Sequence, residues 1–117
     1  MTGSSVSVGS IVRQWQPMPM SMSDEVPAYL AKYELAESVR ELRTLAGGVL
    51  PPDSELELRL RRDGESEEAW LVVHQRIRAA RNEVLQHHNR LLDLWTESAS
   101  PAAQYRLHFT YEALGGA

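Results

Sequence analysis

Cysteine is missing from all 117 residues, which excludes disulfides, thiolate nucleophiles and cysteine-based zinc sites. That usage fits a reducing compartment, so a cytoplasmic location is the expectation. Long apolar runs are missing too. Nowhere do about 18 consecutive apolar residues mark a membrane span, and the first twenty residues carry only Arg13 as a charge without a signal-peptide core. Neither membrane insertion nor secretion is expected. Lysine is nearly absent, Lys32 being the single one among twelve basic residues. The chain has no GxSxG, no GxxxxGK[ST], no GxGxxG after a strand and no HExxH. No catalytic residue, metal ligand or cofactor is therefore assigned.

What is present is ordinary for a globular chain: 43% hydrophobic and 24% charged residues, enough for one core in one domain. The formal charge of −4 disfavours nucleic acid and anionic lipid as general partners. Residues 1–22 read as an N-terminal arm. Residues 1–10 are rich in Ser and Gly and should be flexible, and Pro17 and Pro19 keep the rest extended, docked through Trp15. Residues 23–117 read as a single α+β domain.

In that domain Val26, Tyr29, Leu30, Tyr33, Ala36, Val39 and Leu42 trace one helical stripe over residues 26–46, ended by Gly47 and Gly48. Leu56, Leu58 and Leu60 alternate with charged residues, as a strand does. Residues 70–73, Trp-Leu-Val-Val, can be a second strand paired back through a loop at 63–68. The alternative is one long helix from about residue 66 to 98, on a heptad through Trp70, Val73, Ile77, Ala80 and Val84. The hairpin reading is preferred, because so long a helix is out of proportion to the domain. A helix over 79–97 and a strand through Tyr105, Leu107, Phe109 and Tyr111 complete the order α-β-β-α-β. The expectation is thus a three-stranded mixed sheet with two helices and a right-handed crossover.

The second strand carries apolar side chains on both faces, and the helices can cover only one. Trp70 and Val72 would then lie with His74 on an uncovered face. Trp15, Trp70, Val72 and His74 are the candidate partner-binding residues, since aromatic anchors dominate interface energies. The partner would be another protein or a second copy of the chain, in a regulatory or accessory role such as that of an antitoxin.

Two other readings use the same region. His74 and His108 share a face in the sheet and, near Glu57 or Glu112, could move a proton or hold a metal in a minimal hydrolase or nuclease. Arg59, Arg61, Arg76 and Arg78 could form a basic patch for phosphate, although neighbouring glutamates would neutralise much of it. Met18, Met20 and Met22 could offer thioethers to Cu(I), but apolar docking of the arm suits them better. His88 reads as a partly buried helix residue with a hydrogen-bond partner. The strand-helix-strand order is too common to mark a family.

Overall fold

The computed structural model describes residues 15–66 and 68–115, so the expected flexibility of residues 1–10 lies outside the described residues. It is an α+β structure with four strands and four helices: β1 (Met20–Met22), α1 (Val26–Lys32), α2 (Ala36–Val49), β2 (Glu55–Arg62), β3 (Ala69–Ile77), α3 (Arg81–Ser98), α4 (Pro101–Arg106) and β4 (Leu107–Ala113). The sheet order is β1-β2-β3-β4. The outer pairs are parallel and the central pair is antiparallel.

The expected count of three strands and two helices is therefore corrected to four of each, and each addition has a local cause. In the arm, Pro19 O accepts from Leu56 N–H at 2.9 Å and Leu58 O accepts from Ser23 N–H at 3.1 Å. These bonds seat Met20–Met22 as a parallel edge strand, where the missing donors of Pro17 and Pro19 do no harm. The stripe over 26–46 is broken at Glu34, which takes a left-handed φ of 54°. Leu35 N–H donates to Leu30 O at 2.8 Å and Glu34 N–H to Ala31 O at 3.4 Å, the paired closure of a Schellman turn. Leu30 and Leu35 are both buried, completing that motif's apolar contact. At the other end, Ser100 Oγ accepts from Ala103 N–H at 3.1 Å with Pro101 opening the helix. Tyr105 and Arg106 are drawn into α4, and the strand begins only at Leu107.

Gly47 and Gly48 do not end their helix, which runs through them to Val49. They are glycine because the arm crosses there: a Cβ on Gly47 would run into the Gln16 carbonyl, and one on Gly48 into the Trp15 indole. The crossing is fixed by Met18 N–H donating to Arg43 O at 3.0 Å and Arg43 Nε–H donating to Met18 O at 2.6 Å.

The hairpin reading holds and the long helix does not. Asp63 N–H closes on Glu68 O at 3.0 Å, and the Asp63 carboxylate accepts from Glu65 N–H and Ser66 O–H, each at 3.1 Å. β2 and β3 then pair from Glu55 opposite Arg76 to Arg62 opposite Ala69.

One face of the sheet meets all four helices. Leu56, Leu58, Leu71, Val73, Ile77 and Leu107 bury there against Val26, Leu42, Leu91 and Trp95 in one cluster. Each large apolar side chain so buried contributes about 1.5–3 kcal/mol. The two parallel connections, β1 to β2 and β3 to β4, step the same way across the sheet from strands of opposite direction, with helices on the same face. Their hands are therefore opposite.

Candidate interaction surface

Period-two alternation sends the remaining side chains to the bare face of the sheet. On β2 these are Glu55, Glu57, Arg59 and Arg61. They stand opposite Arg76, His74, Val72 and Trp70 of β3, and beyond them lie His108, Thr110 and Glu112 of β4. Trp70, Val72 and His74 are thus brought together as the alternation indicates. Trp15 is not with them, since it packs on Gly48 at the far end of α2, on the helical side. The described part of the arm accordingly lies on the helical side, where Met18 is buried in the core cluster with Met20 packed against it.

The face has two chemically distinct halves. In the first, the half-buried Trp70 ring stacks on exposed His108, with ring centroids 5.6 Å apart and planes inclined by 25°. Exposed Arg59 and Arg61 flank this pair across the β2–β3 ladder. A concave surface opens beside it, lined by Arg61, Arg62, Asp63, Gly64, Trp70 and His108. Val72, two residues from Trp70 on the same face and opposite His108 in the register, is only 7% exposed and offers a partner little area.

The second half is a polar network. His74 Nδ1 lies 2.7 Å from the Thr110 hydroxyl and Nε2 lies 3.0 Å from Glu112 Oε1. With Glu112 ionised, Nε2–H donates to it. Arg76 bridges Glu112 at 3.1 Å and Glu55 at 2.7 Å. The His74 hydrogen bond, aided by the Arg76 charge, holds the Glu112 carboxyl below its usual range. His74 chooses Glu112 over Glu57, although Glu57 stands opposite it in the β2–β3 register.

These contacts also settle what the other candidate groups touch. His108 stacks on Trp70 while His74 bonds to Thr110 and Glu112, so the two histidines share the face without sharing a partner. Among the described residues no group of three or more His, Asp or Glu is placed to hold a metal ion. The four arginines do not make one patch. Arg76 is neutralised by two glutamates and Arg59 lies 3.3 Å from Glu57, while Arg78, past the end of β3, donates to Leu114 O at 3.0 Å.

Beneath the sheet, Gln75 is fully buried and its amide donates to His88 Nδ1 at 2.7 Å and to Thr110 O at 3.2 Å. Burial pushes the His88 pKa down, in keeping with a neutral ring that accepts this bond. Arg106, not singled out by any motif, lies 3.5 Å from the Tyr33 ring centroid and donates to the Tyr29 hydroxyl at 3.1 Å. Its cation–π seat ties α4 to α1.

The chain matches no family model, no curated protein and no solved structure at a significant level. Among the described residues no helix is long and apolar enough to cross a membrane.

Proposed function

We infer that this chain is a protein-interaction module whose bare sheet face receives a protein partner, with Trp70 as the anchor. The observation that carries the reading is the preformed Trp70–His108 stack, on a face that no described element covers, beside two exposed arginines of β2. Fixing an aromatic pair before binding lowers the ordering cost that association otherwise incurs. Trp and Arg are also the side chains that most often dominate interface energy. The fitting partner presents an apolar side chain to Trp70 and a carboxylate to Arg61, beside the concave surface at Gly64.

The test compares the wild type with Trp70→Ala. Proteins captured by the wild type are purified and titrated against both. Truncation should weaken binding by about 2 kcal/mol, roughly 30-fold, because an anchor concentrates that much energy. It should leave the melting temperature far closer to wild type than Trp95→Ala does, since Trp95 is only 2% exposed in the core. Equal affinity of both proteins for every captured partner would remove the reading.

One observation favours a second reading, in which the same stack receives the bases of a single-stranded nucleic acid. Aromatic rings on an open four-stranded sheet, flanked by arginines, are a stacking platform. The charge of −4 and the Glu55–Arg76–Glu112 network work against it. Titration with poly-U at two salt concentrations separates the readings: salt-sensitive binding lost in Trp70→Ala supports nucleic acid over protein.

A further inference from the structure

The two edges of the sheet are protected very differently. β1 is three residues long and follows Pro17 and Pro19, which blunt that edge. β4 is seven residues long, with the sequence Leu-His-Phe-Thr-Tyr-Glu-Ala, and contains no Pro, Gly or Lys. Among the described residues no strand pairs with its outer side. Leu114 N–H donates to Ile77 O at 2.8 Å, so the even-numbered residues of β4 turn their backbone groups toward β3. By alternation Phe109 and Tyr111 turn theirs outward, where they can pair with another strand.

We propose that a second copy of this chain adds to the outer edge of β4, antiparallel about a two-fold axis at Thr110, joining the two four-stranded sheets into one. β4 is self-complementary about that residue, its midpoint. Phe109 comes opposite Tyr111 of the second copy, and each exchanges outward backbone hydrogen bonds with the other. His108 comes opposite Glu112, an acceptor for the imidazole, and Leu107 opposite Ala113. An aromatic pair and a polar pair are thus repeated on both sides of the axis, as an isologous interface requires.

Apolar surface next to this edge points to the same occupant. Tyr111 is 44% exposed and its ring packs at 4.5 Å on His88 of α3. Leu85, 50% exposed, lies on the turn of α3 just before His88. The opposite side of α3 faces α2, as the bond between Ser98 and Glu41 fixes. Leu85 and Leu92 therefore project past β4, and the two-fold axis turns them toward the same residues of the second copy.

Because the chain has no cysteine, one substitution makes a clean probe. In the proposed register Thr110 faces its own copy as a non-hydrogen-bonded pair, with Cα atoms about 4.5 Å apart, inside disulfide range. His108 would lie about 14 Å from its own copy, four residue steps along the strands. Under mild oxidation T110C should form a disulfide-linked dimer about tenfold faster than H108C, as proximity in a preformed pair dictates. The wild type should have twice the mass of one chain in solution. Tyr111→Pro, which removes an outward N–H together with the ring that packs on His88, should be folded and monomeric. A monomeric wild type overturns the proposal. So does a dimer in which T110C and H108C cross-link at equal rates, as one held through the Trp70 face would, and so does a Tyr111→Pro protein that remains a dimer.

Discussion

Replacing Gly47 with alanine should destabilise this protein, although the same change inside an ordinary helix stabilises it by about 1 kcal/mol. Gly47 lies within α2, and the space its Cβ would take is held by the Gln16 carbonyl. That neighbour is backbone, so no rotamer change relieves the overlap. Forcing a methyl group into packed surroundings costs about 1–3 kcal/mol. If the arm lifts instead, the buried Met18 side chain is exposed at about 2 kcal/mol. The two hydrogen bonds between Met18 and Arg43 are also lost, at about 1 kcal/mol each. Set against the propensity gain, the net loss is about 0–2 kcal/mol if the overlap is absorbed and about 3 kcal/mol if the arm lifts, the latter about 12 °C in melting temperature for a chain of this size. Urea unfolding followed by circular dichroism reads it directly. Gly48→Ala is the internal control, because there the obstacle is the Trp15 side chain. In a Trp15→Ala background Gly48→Ala should recover the ordinary gain of about 1 kcal/mol. A Gly47→Ala protein more stable than the wild type would refute the close crossing of the arm.

His88 carries a pH dependence whose sign follows from its environment. Its folded pKa is lowered from 6.5 by burial, so the unfolded chain binds the proton more readily. The stability it contributes is complete above pH 6.5 and is lost as the pH falls below that value toward the folded pKa. Thermal melts between pH 7 and pH 5 should show a decline that His88→Asn lacks, and parallel declines in the two proteins would count against it. Glu34 occupies left-handed backbone at about 1 kcal/mol or more of strain. Glu34→Gly relieves it, against about 0.5–1 kcal/mol of added chain entropy. The variant should melt no lower than the wild type, and a fall of several degrees would contradict the Schellman turn.

The central hairpin was legible because its signals are local. Leu56, Leu58 and Leu60 alternate, Trp70 to Val73 is β-prone, and Asp63-Gly64 interrupts the two runs. The same period placed Trp70, Val72, His74 and His108 on one face. It could not say that His74 bonds to Glu112 in preference to Glu57, because that depends on how β4 lies against β3. The break at Glu34 was invisible, since a glutamate in a left-handed turn looks like one more helix former. Gly47 and Gly48 carried a real signal that was assigned the wrong cause: they serve a crossing segment some thirty residues earlier in the chain. Met20–Met22 left no strand signature at all, being three residues long and set among prolines. Trp15 packs at Gly48, on the helices and not on the sheet.

The arrangement of parallel, antiparallel and parallel pairs has a kinetic consequence. Only the β2–β3 pair joins neighbouring segments of chain, so it alone closes at the small entropic cost of a short loop. Each outer strand must await a helical connection: α1 and α2 for β1, α3 and α4 for β4. The hairpin should therefore be formed at the folding barrier and the outer strands should arrive after it. Truncating Leu58 or Val73 should slow folding, whereas truncating Met20 or Phe109 should chiefly speed unfolding. During synthesis the chain must thus hold its first strand unpaired until β2 has emerged, and β4, the last strand described, joins a sheet whose centre is already in place.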